Sequence, residues 1–170
     1  YDGVQIGYPA VLPVFSLGNH LLLGGSGSKD LMFRTIWSIG MHLPHRVRFT
    51  FIDPKGLGAA FPMRTLVPIR ETNNASIQKP GDIVKELNED VGRFISSYIQ
   101  GEVQTFDQLP VEVKLDEKLE VICIANYPEG WSEYDLEDLR LLCENGPTAG
   151  KFVIFQSSTS VSDKWLNLSK

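Results

Sequence analysis

Apolar residues along this chain fall into two kinds of pattern. Four short runs, Leu21–Leu23, Val47–Ile52, Leu119–Ala125 and Phe152–Phe155, are nearly continuous in apolar or β-branched residues. Runs of that length without alternation suit strands covered on both faces, as in a parallel sheet. Between them the spacing changes to three- and four-residue steps. Leu31, Ile36, Trp37 and Ile39 ride on a segment predicted as a helix from about Ser28 to His42. Ile83, Leu87, Val91, Phe94, Ile95 and Tyr98 mark one long amphipathic helix from about Gly81 to Gln100. Pro80 falls near its first turn, where a missing N–H costs nothing. Leu136, Leu139 and Cys143 stripe a third helix, with Ser132 as its expected cap and Gly146-Pro147 as its stop.

The predicted order is strand, helix, strand, a long irregular stretch with a helix, strand, helix, strand. Such alternation predicts an α/β fold with an open, mostly parallel sheet, right-handed crossovers and helices on both faces. Ligands of open α/β sheets bind outside the carboxyl ends of the strands. Here those ends are Gly24–Lys29, Asp53–Lys55, Asn126–Glu129 and Gln156–Ser158, and all four carry polar or charged groups.

With 170 residues, 42% hydrophobic and 22% charged, the chain has the size and composition of one soluble globular domain. No apolar run approaches the roughly 20 residues that cross a bilayer, so no direct membrane contact is expected from this segment. The first residue is Tyr1, which predicts a domain excised from a longer multidomain chain. Cys123 lies in an apolar run and Cys143 on an apolar helical face; both are expected as buried thiols in a reducing compartment, hence a cytoplasmic domain whose parent chain is free to be membrane-tethered. His20, His42 and His45 share no ligand spacing with the cysteines, so no metal site is expected. The net charge of −5 is uneven: residues 1–79 hold eight Lys/Arg against four Asp/Glu, and residues 80–170 hold eight against seventeen. No basic stripe with interleaved aromatics marks a nucleic-acid surface.

His20 to Phe33 read HLLLGGSGSKDLMF, a strand, a glycine-rich turn, a lysine and a helix start. That is the outline of a phosphate-binding loop, with Gly24, Gly25, Gly27, Ser28, Lys29 and Asp30 as its candidate residues. A working loop needs Gly-x-x-x-x-Gly-Lys-Ser/Thr: glycines so that backbone N–H groups wrap a polyphosphate, a lysine for its charge, a hydroxyl for Mg²⁺. Anchored on Lys29, this loop has Leu23 and Ser28 at the glycine positions and Asp30 at the hydroxyl position. Asp30 adds negative charge where a nucleotide brings more of it. At the end of the second run, Asp53 has two readings: a turn residue bonding its own loop's amides, or, with Lys55, a pair of charges that positions a nucleotide or a neighbouring subunit.

Ile52-Asp53-Pro54-Lys55 resembles the IDPK segment of FtsK/SpoIIIE-type DNA translocases, ring-forming P-loop ATPases related to HerA. Asn88-Glu89 with Arg93-Phe94 is similar to that family's N-E-M-E-R-R-Y helix, departing from it at Val91 and Gly92. The segment from Gly146 to Lys151 resembles the one before the family's sensor strand, and the pieces keep the family's order from about Leu12 to Ser158. The resemblance implies a RecA-like core in which the fourth predicted strand lies between the phosphate-loop strand and the Walker B strand. It also implies a ring, usually hexameric, that moves double-stranded DNA with ATP. In intact members the Walker B strand ends in Asp-Glu, the first holding Mg²⁺ through water and the second activating the attacking water. Here Asn126 and Tyr127 stand in those places, and Glu129 is a stand-in base two residues late, beyond Pro128.

The function so implied is a degenerate P-loop domain, a structural or regulatory pseudo-ATPase unit of a larger bacterial motor or assembly. It would bind ATP and Mg²⁺ weakly or not at all and pack against neighbouring ATPase domains or subunits through the strand-end residues Asp53, Lys55 and Gln156 and the long helix. Double-stranded DNA would be reached through the parent protein. The alternative is an active ATP-driven DNA translocase with non-standard Walker motifs, in which Lys29 holds phosphate and Glu129 or a neighbouring subunit activates water. An enzyme unrelated to ATP receives little support, since no Ser-His-Asp or Cys-His grouping follows from the residue order.

Overall fold

A computed structural model of the chain describes residues 20–56, 59–62, 72–74, 79–157 and 161. In order these form β1 (His20–Gly24), α1 (Ser28–His42), β2 (Val47–Ile52), β3 (Thr72–Asn74), α2 (Pro80–Tyr98), a 3-10 turn (Phe106–Gln108), α3 (Val111–Glu117), β4 (Leu119–Ile124), α4 (Asp135–Asn145), a second 3-10 turn (Gly146–Ala149) and β5 (Lys151–Ser157). The stretch from Leu12 to Asn19, where the family likeness begins, and Ser158, where it ends, lie outside the described residues.

The strands lie side by side in the order β1-β5-β4-β2-β3, and every pairing is parallel. The expected α/β architecture is thus present, and β5 lies between β1 and β4, the strand order expected of a RecA-like core. Right-handed crossovers in this order place α1 on one face and α2 with α4 on the other. The side-chain amide of Asn88 on α2 donates to the carbonyl of Asp138 on α4 at 2.8 Å, tying those two helices together.

β4 and β5 are buried along their whole length, which is why their sequences do not alternate. α2 turns Ile83, Val84, Leu87, Val91 and Phe94 to the sheet, each worth roughly 2 kcal/mol of gross burial. Pro80 begins α2, as its missing N–H favours. Ser132 does not cap α4, which starts at Asp135 with no side-chain cap. Its hydroxyl and backbone N–H both donate to the Asp135 carboxylate, at 2.6 and 2.9 Å, in the turn before the helix.

Two elements carry no legible signal in the sequence. β3 is three polar residues held at the sheet edge by pairing with β2. α3 buries none of its side chains, so its apolar residues keep no helical stripe.

At the amino ends of the strands a charged cluster is enclosed. Lys151 of β5 donates to Glu120 of β4 at 2.5 Å and to Asp90 of α2 at 2.7 Å. Thr50 of β2 donates to the other Glu120 oxygen at 2.6 Å. Thr50, Glu120 and Lys151 are all buried. Arg93 extends the cluster to the surface, bridging Asp90 and Glu117. Burial by itself would raise the Asp90 carboxyl, but hydrogen bonds from Lys151 and Arg93 outweigh it and hold the group below its ordinary range.

Candidate functional site

The carboxyl ends of β1, β2, β4 and β5 meet beside the start of α1. Lys29, Asp30, Asp53 and Asn126 line one open cleft of about 380 Å³, together with Phe33, Gly56, Ala59, Ala60 and Pro62. Residues far apart in sequence are therefore brought together as strand-end logic requires.

Gly25, Ser26 and Gly27 alone join β1 to α1. Gly25 has φ of +89°, a conformation that glycine adopts freely. No atom stands within 4 Å of a Cβ built on Gly24, Gly25 or Gly27, so the loop's outer side is open. The turn nevertheless closes on itself at once: the Ser28 N–H donates to the Gly25 carbonyl at 3.1 Å.

Beneath the cleft a chain of hydrogen bonds crosses the sheet. Ser28 is buried, and its hydroxyl donates to the Ser157 carbonyl at 3.0 Å. The Gln156 side-chain N–H donates to that same hydroxyl at 2.8 Å. The Gln156 side-chain oxygen accepts the Asn126 backbone N–H at 3.1 Å. The Asn126 side-chain amide donates to Asp53 Oδ1 at 3.0 Å. Asp53 then closes its own loop, accepting from Gly56 N–H at 2.9 Å and Ala60 N–H at 3.0 Å. Gly56 is a site of close approach: a Cβ there would stand 2.2 Å from Asp53 Oδ2.

Asp53 thus takes the turn-residue reading. At 0% exposure neither it nor Gln156, at 1%, presents a contact surface, which corrects the expectation that both face a neighbour. Lys55 is exposed and forms an ion pair with Glu129, itself partly exposed. Neither partner is among the cleft-lining residues.

Tyr127 turns away from the cleft. It is 1% exposed, with its ring 4.7 Å from that of Phe155 and 6.2 Å from that of Trp131. Burial pushes its phenol well above the ordinary tyrosine range, so it moves no proton near neutrality. Cys123 and Cys143 are free and buried, as expected. Burial first, then the nearby Glu144 carboxylate, push the Cys143 thiol up to about 12.

A magnesium-bound triphosphate does not fit this donor set. One ammonium, Lys29, faces the cleft with a carboxylate, Asp30, next to it. The Asn126 side-chain nitrogen donates to Asp53, and its neutral amide oxygen brings no charge to hold a divalent cation. The Ser28 hydroxyl is consumed by Ser157 and Gln156. Among the described residues no group of three or more His, Cys, Asp or Glu is placed to hold a metal ion. Nor is any helix among them long and apolar enough to cross a membrane.

No family model matches the chain, and no curated protein does. Solved structures do. The cytoplasmic domain of the type VII secretion ATPase EccC of Thermomonospora curvata superposes with a TM-score of 0.65 at 18% identity, over 89% of this chain and 20% of that one. ATPases 2 and 3 of EssC from Geobacillus thermodenitrificans give 0.63 at 17%, over 91% and 31%. The conjugation coupling protein TcpA of pCW3, solved as a monomer with ATPγS, gives 0.55 at 11%, over 87% and 46%. This chain spans less than half of each, and at such identities the likeness is one of fold alone: an α/β domain with a parallel sheet, like the RecA-like domains of EccC and EssC.

Proposed function

We propose that this domain is a degenerate P-loop module that does not hydrolyse ATP and serves as a structural or regulatory unit beside active ATPase domains of a larger assembly. The observation that carries the reading is the chain Ser28–Gln156–Asn126–Asp53. The polar groups at the strand ends, where a nucleotide-binding sheet keeps its catalytic and metal-holding groups free, here bond one another. Tyr127 occupies the expected place of the water-activating glutamate and is packed in the core. The multi-ATPase organisation of EssC, solved as ATPases 2 and 3, supports placing such a domain among others in one chain.

Isothermal titration with ATP and MgCl₂ tests this. The expected result is no metal-dependent binding in the micromolar range and no turnover; micromolar binding with turnover removes the proposal. One observation favours the second reading, an active DNA translocase: Lys29 still lines a cleft of about 380 Å³, within the size range of small-molecule sites. Lys29→Ala separates the two. In the assembled parent protein it abolishes activity under the second reading and leaves it unchanged under the first.

A further inference from the structure

We infer that the groove between α3 and the end of α1 receives α4 of a second copy of this chain, so that copies associate head to tail. This holds whether or not the strand-end cleft takes nucleotide.

The groove lies at the amino ends of the strands and encloses about 250 Å³. Leu43, just beyond α1, and Val111 and Leu115 of α3 form its apolar walls, with Phe106 and Leu119 lining it from the core. Val111 and Leu115 stand one turn apart on one side of the helix, and they are 56% and 43% exposed. α3 sets Val113 against the core and leaves this apolar side to solvent, the mark of a docking surface. The charge around it is positive. Arg46 is exposed, and Lys114 donates to a neutral partner, the Asp107 carbonyl. Against these two cations the lining residues include one acid, Asp107, whose carboxylate accepts from the Thr105 hydroxyl.

α4 has the complementary character. Leu136, Leu139, Leu142 and Cys143 are buried, and the opposite side of the helix shows Tyr134, Glu137, Leu141 and Glu144, all exposed. Steps of three, four and three residues keep these four on one face. Tyr134, at the N-cap, is 93% exposed and Leu141 is 41% exposed. An aromatic and an aliphatic anchor alternating with two carboxylates match apolar walls edged by two cations. The anchors supply the contact energy, and the charges select partner and orientation. Glu137 is free to turn to a new partner, since its contact with Arg140 is a 3.5 Å surface pair of little worth. Groove and stripe are different parts of the molecule, so the contact is heterologous, and each copy that joins offers a fresh surface to the next.

The experiment is analytical ultracentrifugation of the chain itself at about 5–200 μM, a range that reports dissociation constants of that order. The chain is expected to self-associate and to do so less as NaCl is added, because the paired charges are screened. Arg46→Glu in the groove and Leu141→Lys on the stripe are each expected to weaken that association at least about tenfold. Mixed together, the two variants are expected to form a 1:1 pair that grows no further, since the first still offers an intact α4 and the second an intact groove. Should Leu141→Lys not fold, Tyr134→Lys, at the 93% exposed position, takes its place in the same mixture. A parent chain that stays monomeric through the range overturns the inference and leaves the groove to a different partner. Undiminished association of either single variant overturns it, as does a mixture that stays monomeric. Nucleotide binding by the parent chain would strike the proposed function and leave this result untouched.

Discussion

At the amino ends of the strands Lys151 stands between Glu120 and Asp90, and each charge is answered by another. At the carboxyl ends a single carboxylate, Asp53, is answered only by N–H groups of its own loop and of Asn126. Both clusters are buried and both tie several strands together, yet they differ in what remains available. The charged cluster balances internally and behaves as part of the core. The amide cluster lies under an open cleft and could have served chemistry, but its donors and acceptors are taken up by each other. Burial with a full set of partners marks structure; a catalytic or metal-holding group needs an unfilled valence facing a cavity. At the carboxyl end the buried cluster has no valence to spare, and the charged groups left facing the cavity are Lys29 and Asp30.

The contrast can be broken most forcefully at Lys151. Lys151→Met leaves Glu120, 3% exposed, with only the Thr50 hydroxyl, and removing one partner of a buried ion pair costs about 3–5 kcal/mol. Urea unfolding measures it, and a loss below about 1 kcal/mol would mean that the amino-end cluster is solvated after all. Gly56→Ala strikes the other cluster. The added methyl meets the Asp53 carboxylate, and displacing that group strands buried N–H donors at about 1–3 kcal/mol. The smallest effect, and the sharpest for distinguishing the ends, is in pH. Asp90 is held below its ordinary value of 3.8, so the folded state binds its proton less readily than the unfolded state does. The stability it contributes is fully present above that value and is lost as pH falls through the lower folded value. Asp90→Asn should therefore show its deficit above pH ~4 and converge with the parent as the solution becomes more acid. Unfolding midpoints measured from pH 2 to 7 would show a constant gap instead if Asp90 were unpaired.

How far the sequence discloses this follows the same divide. Strands buried on both faces announce themselves as unbroken apolar runs, and the stripe of α2 is legible because it has one wet face and one dry one. β3 is invisible because a Thr-Asn-Asn edge strand is made by its neighbour, not by its own residues. Lys29, Asp30, Asp53 and Asn126 converge where alternation of strands and helices predicts a crevice. The direction in which Tyr127 points is not legible, since it depends on Phe155 of β5 and on the turn that brings Trp131 beside it. The amino-end cluster was missed for a different reason. Acidic residues are seldom fully buried, yet Glu120 sits inside an apolar run and Lys151 borders another, and their strands pair so that the two face each other. Opposite charges embedded in adjacent apolar runs were the available clue.

The hydroxyl of Ser28 fastens the first turn of α1 to the last residues of β5. In a nucleotide-driven machine that joint is where movement begins, as the loop tightens and slackens around its phosphates. Here the first turn of α1 and β5 are bolted together through that hydroxyl. Under the function proposed above, a domain built this way would keep its shape while its neighbours cycle, acting as a fulcrum and not as a lever.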